Sequence, residues 1–210
     1  MKAERKMLKC AVCNRESEQM LYMSDFIRGY PDFDGKPVGS RLGVGGNIME
    51  CPYCHYANYN ITETIESRLF NNLDLWNSSF QSIINNYSGP LRKILLVAKQ
   101  YENHMKYKEA YRTYTLASWA SETEEQEKEF RCKALDIFFK KVIQNYRDDL
   151  LQITDMVRME GKFDLALELN EVVDKITYKS EEKVLKTIDA EKNLIENKDS
   201  KRHNLKEVFE

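Results

Sequence analysis

Cysteine is the residue type whose spacing carries the most chemistry in this chain. Four of its five cysteines form two pairs, Cys10-Ala11-Val12-Cys13 and Cys51-Pro52-Tyr53-Cys54. Two residues between thiols is the spacing of a zinc knuckle, a tight turn that aims both sulfurs at one ion, and two knuckles complete a tetrahedral four-sulfur site. The 37 residues between the pairs exceed the usual finger spacing and suit a ribbon with a looped insertion. The expectation is one structural Zn2+ per chain, held by Cys10, Cys13, Cys51 and Cys54. Four thiolates leave no coordination position for water or substrate, so such a metal holds the fold and does not catalyse. Cys132 stands alone within a helical pattern.

Two other chemistries use the same spacing. A thioredoxin-like redox pair needs its first sulfur at a helix N-terminus after a strand, and the residues around Cys10 and Cys51 do not alternate that way. Cys51-Pro52-Tyr53-Cys54-His55 also fits covalent haem attachment, a reading that requires export and leaves Cys10 and Cys13 without a role. A knuckle turn explains His55 differently. The residue after the second cysteine adopts positive φ, where Gly is usual and Asn and His are tolerated. Asn14 and His55 occupy the two equivalent places.

One polar loop offers a second constellation, Asp32, Asp34, Lys36 and Arg41. An Asp-x-Asp pair with a nearby Arg suggests a divalent ion or an anion contact. The competing expectation is that Lys36 and Arg41 offset the charge of four thiolates while the Asp side chains cap turns. His55, His104 and His203 are far apart, and the chain has no Gly-rich phosphate loop and no evident nucleophile–base pair, so no catalytic residue is assigned.

These residues must be positioned by a chain of 210 residues that is 31% charged and carries only 8 Gly and 4 Pro. That composition points to a mainly α protein and argues against a β-sandwich or a disordered chain. A net charge of -2 gives no electrostatic reason for a dedicated nucleic-acid or anionic-membrane binder. The charged start Met1–Lys9 is unlike a secretory signal, and no apolar run approaches the ~20 residues of a membrane span, so a cytoplasmic location is the expectation.

Residues 1–61 read as a zinc-ribbon β module, with strand candidates at Met20–Met23, Val44–Glu50 and Tyr56–Ile61. Residues 62–210 read as helical. Trp76, Phe80, Ile83, Ile84 and Tyr87 fall on one helical face. Leu91, Ile94, Leu95, Ala98 and Tyr101 mark a second helix, and Tyr107, Ala110, Tyr111, Tyr114 and Ala117 a third, turning near Asn103–Lys106. A charged helix is expected over Glu122–Tyr146. A second hairpin follows, with Gly161 as the stop of its first helix. Both hairpins resemble tetratricopeptide repeats in where small and aromatic residues fall, although Ala110 and Ala166 are 56 residues apart and not 34. In the second, Thr154 and Asn170 stand where a small and an aromatic residue belong. The charged tail after Ser180 is expected to cap the array.

The order of parts resembles the DUF2225-like bacterial zinc-ribbon proteins. The likeness is carried by Cys10–Cys13, by Tyr30-Pro31-Asp32-Phe33-Asp34-Gly35-Lys36-Pro37 with Arg41, and by Glu50-Cys51-Pro52-Tyr53-Cys54-His55-Tyr56-Ala57. Ala117-Ser118-Trp119-Ala120 and Arg131-Cys132-Lys133-Ala134 look like helical landmarks of the same group. His55 departs from the group's usual Gly, and Lys36 from its common Arg. The resemblance implies a zinc ribbon followed by repeat-like helices and carries over no activity.

The functional expectation is a non-enzymatic scaffold: a zinc-stapled head and a helical surface for a protein or peptide partner, with Tyr101, Tyr107, Tyr111, Tyr114 and Trp119 as candidate anchors. The alternative is a nucleic-acid-associated zinc-ribbon regulator. Residues 1–60 hold eight Lys or Arg against seven Asp or Glu, which implies no basic surface.

Overall fold

A computed structural model describes residues 3–22, 29–38, 44–64, 78–142, 149–178 and 181–210. It is mainly helical. Four short strands come first, β1 (Ala3–Lys9), β2 (Glu16–Tyr22), β3 (Met49–Glu50) and β4 (Ala57–Asn58). The described helices are α1 (Ser78–Asn86), α2 (Gly89–Asn103), α3 (Tyr107–Ala120), α4 (Glu124–Ile137), α5 (Leu150–Met159), α6 (Phe163–Ile176), α7 (Glu182–Glu196) and α8 (Lys206–Phe209). The chain divides into two compact units, Met1–Phe26 with Ser40–Ile137, and Ile27–Gly39 with Phe138–Glu210. No helix among the described residues is long and apolar enough to cross a membrane.

In the first unit the strands form two antiparallel hairpins. β1 pairs with β2 from Lys9↔Glu16 to Ala3↔Tyr22, and β3 with β4 through Glu50↔Ala57 and Met49↔Asn58. Each hairpin turns through one cysteine pair. β1 was not foreseen, because Glu4, Arg5 and Lys6 read as a charged terminus and strand propensity there is poor. Pairing makes it a strand: alternation on β2 buries Ser17 and Gln19 and turns Glu16, Glu18 and Met20 outward, and Gln19 Nε2 donates to the Glu50 carbonyl at 3.1 Å, linking the hairpins. The expected strand Val44–Glu50 shrinks to Met49–Glu50. Gly45, at φ 74°, opens a turn closed by the Ile48 N–H on its carbonyl at 3.0 Å, and a Cβ there would meet Ile94 at 2.6 Å. The strand Tyr56–Ile61 shrinks to Ala57–Asn58, and Met23 lies outside the described residues.

Helical periodicity is met more closely. Leu91, Ile94, Leu95 and Ala98 are the buried face of α2, and Ala110, Tyr111, Tyr114 and Ala117 that of α3. Trp76 lies outside the described residues. The expected helix Glu122–Tyr146 is α4 followed by a π-helical turn, Phe138–Val142, and residues 143–146 are not described.

In the second unit α5 and α6 form a hairpin and α7 lies on α6, burying Ile188 and Ile195. The amide of Asn170 donates to the Ile188 carbonyl at 3.1 Å, which is why this position is not aromatic. Thr154 is fully buried and its hydroxyl is satisfied by the Leu150 carbonyl at 2.8 Å. The C-terminal residues return to the loop 29–38 of the same unit. Phe33 N–H donates to His203 O and Leu205 N–H to Pro31 O, at 3.1 and 3.0 Å.

The two hairpins share one geometry at an interval of 56 residues. Lys106 N–H bonds Tyr101 O at 2.9 Å, and Lys162 N–H bonds Val157 O at 3.3 Å. Ala110 N–H bonds Lys106 O at 2.8 Å, and Ala166 N–H bonds Lys162 O at 3.0 Å. The helices end alike too: Ser121 Oγ donates to Ala117 O at 2.9 Å, and Thr177 Oγ1 to Val173 O at 2.7 Å. At the turn itself, Met105 (φ 57°) stands where the second hairpin has Gly161 (φ 71°). An L side chain in this region is strained by about 1 kcal/mol, and Met105 is 72% exposed. Met105→Gly is therefore expected to stabilise the protein by about 0.5–1 kcal/mol in urea unfolding, whereas Gly161→Met should destabilise it by a similar amount.

Candidate metal centre

Each cysteine pair is aimed by the same set of backbone bonds. Cys10 N–H donates to Arg15 O at 2.9 Å and Asn14 N–H to Cys10 O at 2.9 Å. In the second knuckle, Cys51 N–H donates to Tyr56 O at 2.8 Å and His55 N–H to Cys51 O at 2.9 Å. Closing these turns requires left-handed backbone after the second cysteine, and Asn14 (φ 59°) and His55 (φ 58°) adopt it, as the sequence led us to expect.

The four sulfurs converge. All lie within 4.8 Å of one another, with Cys10 Sγ 3.7 Å from Cys54 Sγ and Cys13 Sγ 3.6 Å from Cys51 Sγ. Tetrahedral zinc with bonds of about 2.3 Å separates its sulfurs by about 3.8 Å. A disulfide needs about 2.05 Å, and none of the five cysteines is in one. The four cysteines could therefore hold one metal ion. Cys10 and Cys51 are buried in a small core with Met49, Tyr56 and Ile61, against which Leu8, Val12 and Leu21 pack.

Electrostatics point the same way. Burial pushes the Cys10 and Cys54 thiols up. Cys13 is also raised by burial, but the Arg15 N–H and the neighbouring thiols outweigh this and leave it below the ordinary thiol value. Backbone N–H groups thus face sulfurs in a crowded, half-dry site. Only a cation among them makes four thiolates compatible there.

One ion-pair network beside the knuckle was not singled out from sequence. Glu50, whose side chain is 6% exposed, accepts from His55 Nδ1 at 2.8 Å and from Arg92 NH2 at 3.1 Å. It ties the second knuckle to α2, as does Gln100 Nε2, which donates to Ala57 O at 3.0 Å. The available signal was a carboxylate directly before Cys51; its partner lies 42 residues away on a helix. Glu50→Gln keeps the shape and removes the charge, and is expected to cost about 1.5–3 kcal/mol in thermal unfolding of the metal-loaded protein.

Asp32, Asp34 and Lys36 belong to the second unit, and Arg41 lies outside the described residues. The divalent-ion reading is corrected: Arg202 NH1 reaches Asp34 Oδ2 at 2.6 Å and Asp32 Oδ2 at 3.3 Å, so a guanidinium bridges the Asp-x-Asp pair. The turn reading holds for Asp34, whose Oδ1 accepts from Lys36 N–H at 3.1 Å. Among the candidate anchors, Tyr111 and Tyr114 are core residues, which corrects their assignment to a partner surface. Tyr101, Tyr107 and Trp119 are half-buried. Compared with known proteins, the chain matches no family model, no curated protein and no solved structure.

Proposed function

We propose that the protein is a non-enzymatic adaptor in which Cys10, Cys13, Cys51 and Cys54 bind one structural Zn2+ and the helices present a surface to a protein or peptide partner. The observation that carries the metal half is the convergence of four thiols to within 4.8 Å on two matching knuckles. A filled sphere of four thiolates gives the metal a folding role and no reacting position. The partner half is supported by the apolar side chains Val172, Ile176 and Tyr178, which the end of α6 leaves between 36% and 67% exposed.

Metal analysis and thiol alkylation of the purified, untagged chain test the first half. One zinc per chain with Cys132 alone readily alkylated supports it; metal-free protein with reactive or disulfide-bonded pairs overturns it. For the second half, a protein retained by the full chain from its native extract should resist nuclease and be lost on Val172→Glu. The nucleic-acid reading has one observation in its favour: Arg15 lies 5.3 Å over the ring of Tyr53, which is 52% exposed between the cysteines of the second knuckle. Salt-sensitive, nuclease-sensitive retention would favour that reading over the adaptor.

A further inference from the structure

The second unit encloses a charged cluster that the metal centre does not use. Arg158 on α5 is fully buried, as are Asp155 on the same helix and Glu191 on α7. Arg158 Nε is shared between Asp155 Oδ1 at 3.2 Å and Glu191 Oε1 at 3.0 Å, and its NH2 meets Asp155 Oδ1 at 2.5 Å. Its NH1 faces away and donates to two carbonyls of the C-terminal segment, Asp199 O and, at 2.9 Å, Lys201 O. One guanidinium therefore serves two carboxyl groups and a strap of backbone.

The remaining oxygens of the pair, Asp155 Oδ2 and Glu191 Oε2, are sealed from solvent and receive no hydrogen bond from an N–H or hydroxyl among the described residues. The two carboxyl groups are neighbours, each accepting from Arg158 Nε through its other oxygen. Two carboxylates cannot satisfy each other's sealed oxygens, because neither has a donor; a carboxylic acid beside a carboxylate can. The missing donor is a proton.

Other charges face the pair from each side. Asp34, in the loop 29–38, acts on Asp155 with the same sign. Arg202 on the strap offsets Asp34 and Asp32. The strap also carries Asp199 and His203, whose ring nitrogens meet Asp199 Oδ2 at 3.1 Å and Glu207 Oε2 at 2.9 Å. From α6, Asn170 reaches the backbone of α7. Asp32 bridges the strap at Asn204, whose side-chain amide donates to Tyr30 O at 2.8 Å and Asp32 Oδ1 at 3.0 Å.

We propose that the proton shared by Asp155 and Glu191 locks the strap, residues 199–205, onto the second unit, making its release a pH-sensitive step. With the proton in place, the pair carries one negative charge and Arg158 balances it. Without it, two adjacent carboxylates backed by Asp34 confront one guanidinium, and opening relieves the repulsion by letting water reach Glu191. Burial, reinforced by the Asp155 charge and opposed by Arg158, pushes the Glu191 carboxyl up to about 9 from 4.5. The folded value is above the open one, so the stabilisation is complete below 4.5 and is lost as pH rises through about 9. Across that window the opening constant climbs about tenfold per pH unit, one proton being released per opening.

Amide exchange of the metal-loaded full chain tests this at the Leu205 and Phe33 N–H groups, which bond across the strap and the loop. After correction for intrinsic base catalysis, protection should fall about tenfold per pH unit between pH 6 and about 8.5. Glu191→Gln mimics the protonated acid and should make protection independent of pH. A flat wild-type profile, or an unchanged slope in the variant, overturns the proposal. If Glu191→Gln fails to fold, Asp155→Asn replaces it, and the wild type alone supplies a further check. A buried carboxylic-acid C=O band must be present in its infrared spectrum at pH 7 and vanish by about pH 10; no such band at pH 7 also overturns the proposal.

Discussion

Cys51→Ser is expected to abolish metal retention and unfold both hairpins while leaving the helices largely formed. Cys51 is fully buried and is at once a ligand candidate and a member of the small core with Cys10, Met49, Tyr56 and Ile61. β3 and β4 are two residues each, and an isolated two-stranded hairpin is marginal in water. So little core cannot offset the ordering of residues 3–22 and 44–64, and a bound structural zinc contributes roughly 10 kcal/mol or more of folding energy in comparable small modules. Serine keeps the volume but is a poor ligand at neutral pH, because a hydroxyl does not ionise there as a thiol does. Removing the metal with a chelator should produce the same spectrum as the substitution. Metal content together with amide chemical shifts decides the matter: Cys51→Ser protein that is metal-free yet keeps native shifts across residues 3–22 and 44–64 would remove the structural role assigned to the site.

The cysteine site was legible because its signal is local. Two residues between thiols, followed by Asn14 or His55, specify a turn whose closing backbone bonds, Cys10 with Asn14 and Arg15 and Cys51 with His55 and Tyr56, span no more than six residues. The helical hairpins were legible for a related reason: periodicity and one glycine place α5 and α6, and the Ala110–Ala166 interval gives the 56-residue repeat. What stayed hidden depends on partners distant in sequence. β1 is a strand only because β2 pairs with it. The role of Asp34 is set by Arg202, 168 residues away, and that of Glu50 by Arg92. No local pattern encodes such pairs, so an Asp-x-Asp loop bridged by a distant arginine reads as an open cation site.

The same repeat supports the second large effect, a contrast between two equivalent positions. In the first hairpin Glu102 on α2 accepts from Lys99 at 3.2 Å and from Lys133 on α4 at 2.8 Å. Shifted by 56 residues along the hairpin, and by 58 on the third helix, these positions are Asp155, Arg158 and Glu191. The network is conserved in placement and inverted in charge. Burial separates the two cases: Glu102 and Lys133 side chains are 22% and 40% exposed, whereas Arg158, Asp155 and Glu191 are 0–1% exposed. Glu102→Gln is therefore expected to cost less than about 1 kcal/mol, since water screens the pair and solvates what remains. Arg158→Met should cost about 3–5 kcal/mol, because two carboxyl groups lose the buried counter-charge they share and the strap loses two backbone anchors. The cost also has a sign in pH. Removing the cation raises the folded values of Asp155 and Glu191 further above the unfolded ones, so both acids must hold protons to stay buried. The deficit is then smallest near pH 5 and grows toward pH 8. Urea unfolding of both variants at these two pH values tests the contrast: equal losses at the two positions, or a loss at Arg158 that does not change with pH, would mean that burial is not what sets the two networks apart.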